Sequence, residues 1–367
     1  VIRRFQPSIY DLLQLPEYQI RKLDTAVTPS FRFDTSFLLV ERAWLICGSG
    51  ESHTLMAETP PTQCDYTYDN RLRCQDGHYL PISRIQTDGH SKLEPLPRVQ
   101  QLLEQHLQVL LPDDEELLHV ERRIVLQAPP SVEPQALLDS LLASWPLDKQ
   151  PKTGLEVTAL AFDEWLASAL EQQEAKTDSL QFIAIEPLCI EERGQRDGPH
   201  GEMLVSLWLR RAPEVKGPDA PSANLKLYPP QYVSHAPRSG FSRRQPSPLD
   251  EMMAHLKEGM PLERMAGVVW DGDSSGSRSD HFIDAVQTHL AHLYFDTDVW
   301  SVRTLAGALQ SVGPAAQAVM AYQLAQQREN DILILNTQDE TQTWAIHAQY
   351  AQSAMESNGA KDEQLQP

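Results

Sequence analysis

No stretch of this chain approaches the ~18 consecutive apolar residues that a membrane-spanning helix needs. Cysteine is scarce, with 4 in 367 residues, and no Cys-x-x-Cys pair occurs, so no structural zinc site is expected. Positive charge is also short. A formal net charge of -20 repels phosphate backbones and argues against nonspecific binding to nucleic acid. The glycine-rich Gly48-Ser49-Gly50-Glu51-Ser52 lacks the lysine and the strand-to-helix setting of a phosphate loop, and no motif calls for a cofactor.

What is present describes a folded chain. Apolar residues make up 41%, enough for sizeable cores. The acidic residues are scattered, apart from Asp113 to Glu116 and the tail, and read as a solubility device. A cytoplasmic location is expected. Val1-Ile2-Arg3-Arg4 would also suit the cytosolic end of a membrane anchor upstream of Val1, and a trimmed chain equally well. Cys64 and Cys74 flank a turn at Asp69-Asn70. A cross-strand disulfide is geometrically allowed there, but two reduced thiols are the preferred reading. Cys47 and Cys189 lie in apolar runs and read as core residues.

The main organising signal is an internal repeat. Apolar strand runs at Ile124 to Ala128, Leu155 to Ala161, Phe182 to Glu186 and Met203 to Leu209 alternate with helical patterns at Pro134 to Ser144 and Asp163 to Glu174. The order recurs in strands at Met265 to Trp270, Asp298 to Val302, Asp331 to Leu335 and Thr343 to His347, with helices at Asp280 to Leu293 and Gly313 to Arg328. Duplicated βαβαββ halves predict an α/β architecture with strands buried between helices. The chain therefore divides into a small β-rich domain (1–92), a connecting helix (93–120), a first half (121–212), a proline-rich loop (213–250), a second half (251–350) and a disordered tail (351–367). In the first domain, Phe37 to Cys47, His53 to Glu58, Cys64 to Tyr68 and Arg71 to Ile85 are β-prone. The loop carries eight prolines, too many for a central strand. Its basic knot, Arg238, Arg243 and Arg244 around Phe241, is the candidate partner-binding site, against the plainer reading of a solvated loop.

Other clusters are weighed and set aside. Asp271-Gly272-Asp273 could hold a hard cation but lacks EF-hand spacing, and a polar turn is preferred. His289 and His292, with His281 and Asp296, could ligate a metal, yet a surface or satisfied-core role is preferred, and no metal site is assigned. His200-Gly201-Glu202 reads as turn chemistry. Trp145, Trp165, Trp208, Trp270, Trp300 and Trp344 fall mostly in predicted elements and are expected to pack.

Four stretches carry a resemblance: VTALAFDEWLASALEQQEAKTDSLQFIAIEPL (Val157 to Leu188), MAGVVWDGDSSGSRSD (Met265 to Asp280), WSVRTLAGALQSVGPAA (Trp300 to Ala316) and DILILNTQDETQTWAIHA (Asp331 to Ala348). Their order resembles, over 122 to 350, the thiolase-like fold of β-ketoacyl synthases. In that fold two halves form an α-β-α-β-α layered stack, with a nucleophile turn, an HGTGT-type loop, a KSNxGH loop and a closing hairpin. The resemblance implies a cysteine at a helix start and two histidines, groups suited to thioester attack and oxyanion stabilisation. The turn Ala159 to Asp163 has neither Cys nor Ser, and the two histidine loops show Gly272-Asp273 and Gly307-Ala308. The expectation is a chain that is not an enzyme and has no catalytic residues. It would be an adaptor or accessory protein that binds a protein partner, a secreted effector or secretion-machine component, in a bacterial setting such as type VI effector loading. The alternatives are an acyl-chain enzyme using displaced residues such as Cys189 with His200, or a silent partner subunit of a synthase.

Overall fold

The computed structural model describes residues 36–57, 59–73, 77–111, 122–145, 154–171, 179–188, 199–211, 225–234, 247–272, 276–337 and 341–351. The first part runs β1 (Leu38–Cys47), β2 (Gly50–Glu51), α1 (Ser52–Leu55), β3 (Thr67–Arg73), β4 (Tyr79–Ser83), α2 (Pro95–Leu110), β5 (Arg122–Gln127), α3 (Pro134–Ser144), β6 (Leu155–Thr158), α4 (Phe162–Glu171), β7 (Ser179–Glu186), β8 (His200–Gly201) and β9 (Met203–Arg211). The second runs β10 (Leu225–Leu227), β11 (Gln231–Ser234), α5 (Pro248–Gly259), β12 (Gly267–Trp270), α6 (Gly276–His289), α7 (Phe295–Asp298), β13 (Val299–Ser301), α8 (Val302–Ala306), α9 (Gly313–Arg328), β14 (Ile332–Asn336) and β15 (Gln342–Tyr350).

One large sheet follows the path β13-β12-β14-β15-β10-β1-β9-β7-β5-β6. Its two ends are the same unit. In the first, β5 is parallel to β6 and β7, β7 is antiparallel to β9, and β9 to β1. In the second, β12 is parallel to β13 and β14, β14 is antiparallel to β15, and β15 to β10. The units meet where Leu38, Leu39 and Val40 of β1 pair with Leu227, Lys226 and Leu225 of β10. Past Val40, side chains of α9 donate to backbone carbonyls of β1. The Tyr322 hydroxyl donates to the Glu41 carbonyl at 3.1 Å, and the Gln323 amide donates to that of Ala43 at 3.2 Å.

Because side chains alternate along a strand, each half-sheet feeds two cores. Val125, Phe182, Ala184, Val205 and Leu207 face a central core, and Ile124, Leu126, Ile183, Ile185 and Leu204 face an outer one with α2 and α3. In the second half Val269, Ile332, Ile334 and Ile346 join the central core, while Val268, Leu333, Leu335 and Ala345 pack under α5 and α6. The central core encloses α4 and α9, which gives five layers in the order α-β-α-β-α. Helix α9 is apolar nearly all round, and its Ala315, Ala316, Ala318, Ala321 and Ala325 let both half-sheets approach closely. A helix of this composition belongs in a core. It begins with Pro314 in its first turn and stops at Glu329, whose φ of 52° is left-handed.

Two stretches lie elsewhere than the sequence pattern implies. Leu38–Cys47, read as part of a separate β-rich domain, is a strand of the large sheet, and His53 to Leu55, read as strand, is in the one-turn helix α1. The segment 213–250, read as a surface loop, contributes β10 to the middle of the sheet, β11 beside β15, and the start of α5. Prolines are excluded from β10 itself, and Pro229 and Pro230 sit between it and β11, where a missing N–H breaks no ladder. Each half thus begins with a strand and an outer helix, β1 and α2 or β10 and α5, upstream of the repeat visible in the sequence. Among the described residues, β3, β4 and β8 form a separate small sheet. Among the described residues no helix is long and apolar enough to cross a membrane.

Candidate functional site

The two central helices start close to where the halves meet. Before α4, the turn after β6 is held by the Leu160 N–H donating to Thr158 Oγ1 at 3.1 Å. The first helical residue, Phe162, is fully buried against Phe182 and Trp165, with ring centroids 5.1 and 5.8 Å away. Asp163 follows, only 5% exposed, and its Oδ2 accepts the Tyr232 hydroxyl of β11 at 3.1 Å. Burial pushes the Asp163 carboxyl up to about 6, against the lowering effect of the tyrosine, and burial likewise raises Tyr232. This pair joins the first half to the second and has no counterpart in the sequence reading. A first-turn aspartate looks like an ordinary dipole-complementing residue until the partner 69 residues away is placed against it.

At the start of α9 a carboxylate from the other half occupies the helix end. Glu186, at the close of β7, accepts the backbone N–H groups of Gln310, Ser311 and Val312 at 2.6, 2.9 and 3.3 Å. The Gln127 amide donates to the Ser311 carbonyl at 3.0 Å. These are N–H groups of the turn that leads into the helix, with the N-cap Val312 the last of them, and they are satisfied across the interface of the halves.

The two loops expected to carry histidines have their own chemistry. Gly272 has φ +67°, and a Cβ there would collide with Ser301 Oγ. Beside it the buried Asp271 carboxylate accepts the Thr337 N–H at 3.0 Å and the Thr337 hydroxyl at 3.1 Å, as a polar turn does. Gly307, with φ +88°, lets the chain cross His200–Gly201, where the Gly201 N–H donates to the Ala308 carbonyl at 2.8 Å and the Ala308 N–H to that of Pro199 at 2.7 Å. His200 is buried there. Next to it, Glu202 and Arg98 form a fully buried bidentate pair at 2.9 and 2.6 Å, and the Glu202 oxygens also accept the N–H groups of Leu188 and Ile85. Cys47 and Cys64 are buried free thiols, and burial raises both, Cys47 to about 11. Cys74 and Cys189 lie outside the described residues, as do Arg238, Phe241, Arg243 and Arg244.

The histidines weighed for metal go separate ways. His292 Nε2 faces the Met265 carbonyl at 2.8 Å, and His289 Nε2 faces Asp250 at 3.6 Å. Trp145, Trp165, Trp208, Trp300 and Trp344 are buried, and Trp270 is stacked on Phe282 at 3.9 Å.

The small sheet presents a different kind of surface. Leu80 and Ile82 point inward with Leu72 and Leu188, so Tyr79 and Pro81 point outward. Tyr68 stands opposite Pro81, with Tyr66 two residues before it, and the tyrosines are exposed by 43% (Tyr66), 63% (Tyr68) and 50% (Tyr79). Tyr66 and Tyr68 meet edge to face at 5.9 Å. Beneath them Asp69 is held by Arg71 at 2.7 Å and Arg84 at 2.8 Å, and hydrogen bonding from Arg71 holds its carboxyl below the ordinary range. Asp69 thus ties its strand to Arg84 of the segment after β4, and the three tyrosines are exposed on the other face.

Neither a protein-family model nor any curated protein sequence matches the chain. Solved structures do match. The ketosynthase from module 6 of the bacillaene synthase of Bacillus subtilis 168 aligns with TM-score 0.56 at 9% identity, over 90% of this chain and 78% of that one. A β-ketoacyl synthase from Burkholderia phymatum STM815 aligns with TM-score 0.53 at 11% identity, over 87% of this chain and 100% of the other. A third is AntDE:AntF, a type II polyketide acyl-carrier protein in complex with its ketosynthase, with TM-score 0.53 at 12% identity, over 86% and 99%. The chain therefore has the thiolase-like fold of the ketosynthases. That corrects the expectation of a chain that is not an enzyme, because the structures sharing its fold are themselves named as enzymes.

Proposed function

We propose that this ketosynthase-like scaffold serves as an accessory protein that captures a protein partner through the tyrosine face of its small sheet, in the cytoplasm of a bacterium. The observation that carries the reading is the exposure of Tyr66, Tyr68 and Tyr79 on a sheet that lies outside the duplicated core. Tyrosine offers a large, rigid contact with a polar tip and is enriched at protein interfaces. A ketosynthase of the same fold is known bound to a carrier protein, a precedent for a protein partner on this scaffold. Loading of a secreted effector, as in type VI secretion, is the setting we favour for the partner. The test is co-purification from the native host with the wild-type chain and with the Tyr66→Ser/Tyr68→Ser/Tyr79→Ser variant. Loss of a stoichiometric partner with an unchanged melting temperature is the expected result, and retention of that partner would refute the placement.

A second reading rests on Asp163. A buried carboxyl with a raised pKa, at the helix start where the resemblance sets a nucleophile turn, has the protonation behaviour of an acid–base group acting on an acyl chain. Turnover of acyl thioesters that is lost in Asp163→Asn would favour it over partner capture.

A further inference from the structure

Where the chain enters β3 its side chains alternate, so Tyr66 and Tyr68, on either side of Thr67, fall on one face. Their rings meet edge to face, with centroids 5.9 Å apart and planes at 88°. The backbone beneath them is held on both sides of the pair. Before it, the Asp65 N–H donates to Ser49 Oγ at 3.1 Å, and after it Asp69 pairs with Arg84 at 2.8 Å. The two phenols are therefore kept as neighbours by the strand, while both rings are exposed to reagents in solvent and free to turn about their own axes.

Tyr228, Tyr232 and Tyr322 differ in both respects: they are half-buried, and their hydroxyls donate to Gln349, Asp163 and the Glu41 carbonyl. Tyr294 is more exposed than either member of the pair, at 76%, but among the described residues no second tyrosine ring meets it. Adjacent exposed phenols have a reaction open to them that a solitary phenol lacks within one chain. One-electron oxidation removes an electron and a proton from each hydroxyl, and the two phenoxyl radicals join through ring carbons ortho to oxygen. The ortho hydrogens then move to the oxygens as the rings regain aromaticity, so the chain loses two hydrogen atoms in all. Hydrogen peroxide, acting through a haem peroxidase, accepts them and leaves as two waters. Holding the reacting rings side by side makes the coupling intramolecular and favours it over encounter between chains.

We propose that Tyr66 and Tyr68 form an oxidative modification site, at which a peroxidase-type oxidant joins the two rings as an internal dityrosine. The pair lies on the face proposed above for partner capture, where the cross-link acts as an off-switch. That consequence rests on the capture reading, whereas the coupling rests on the ring geometry alone. The purified full chain is treated with hydrogen peroxide and a haem peroxidase, then followed by dityrosine fluorescence, denaturing gel electrophoresis and peptide mass spectrometry. The expected product runs as a monomer and carries Tyr66 and Tyr68 in one peptide that is lighter by two hydrogen atoms. Its yield per chain is not expected to fall when the protein is diluted, as befits an intramolecular step. Tyr68→Phe is expected to abolish the product, and Tyr294→Phe to leave it unchanged. Chains linked through Tyr294 in place of the internal product, or an internal product that survives Tyr68→Phe, would overturn the site. The cross-link is read without a partner, so its absence overturns the site and leaves the capture reading standing. A cross-linked chain that still captures its partner overturns the off-switch and leaves the site.

Discussion

Asp163 is an ionisable group whose environment works against its charge. Burial raises it to about 6 in the folded chain, whereas in the unfolded chain it titrates near 3.8. The folded state therefore holds the proton more tightly between those values. Its contribution to stability is fully present below about pH 4 and lost as pH rises through about 6, on the order of 2 to 3 kcal/mol in all. Asp163→Asn is expected to flatten this part of the pH–stability curve in urea titrations between pH 4 and 7. Tyr232→Phe removes a hydrogen bond that lowers the carboxyl, and should move the window to higher pH. The Arg98–Glu202 pair is buried more completely still. Truncation of one partner, as in Arg98→Met, leaves a buried carboxylate without its cation and is expected to cost about 3 to 5 kcal/mol. Glu202 also accepts two backbone N–H groups, so a further Glu202→Met change should not restore stability; full restoration would show that those N–H contacts are dispensable.

At the scale of the elements, the two best-defined helix starts differ in how they are satisfied. Helix α5 is capped within its own segment, with Ser247 and Asp250 exchanging hydrogen bonds as a capping box. Helix α9 depends on Glu186, more than a hundred residues upstream. Ser247→Ala is expected to cost about 1 kcal/mol in denaturant unfolding. Glu186→Ala strips an acceptor from buried N–H groups and should cost more, about 2 to 3 kcal/mol. Equal losses would mean that the α9 start finds another acceptor. The same contrast explains what was legible. The local signals, Pro134 and Pro314 at helix starts and the apolar runs of β7 and β9, place those elements within a few residues. β10 escaped because three residues ahead of two prolines carry almost no pattern, and their strand identity comes from β1 and β15 on either side. Alternation in Leu38–Cys47 marks a strand and is silent on its partners, so local pairing with its neighbours was the natural inference. The Asp163–Tyr232 contact is a product of long-range register and left no trace in spacing.

For the whole molecule, the path of the large sheet makes β1 the hinge of the architecture: it pairs with β9 along its length and is the strand through which the two halves join. A chain beginning at Gly48 is therefore expected to lose cooperative thermal unfolding in calorimetry, rather than merely shed a peripheral domain. A retained single sharp transition would show that the halves close without it. The order in which the sheet's parts are made adds a further consequence. β1 leaves the ribosome roughly 150 residues before β9 and still longer before β15 completes the neighbouring half. At bacterial or slower synthesis rates of about 5 to 20 residues per second, its partners are absent for on the order of ten seconds or more. Throughout that interval Leu38, Val40 and Leu45 form an apolar strand with nothing to pair against. The earliest of the described strands to be translated is thus among the last to be used, and the nascent chain carries an aggregation hazard for as long as that strand waits.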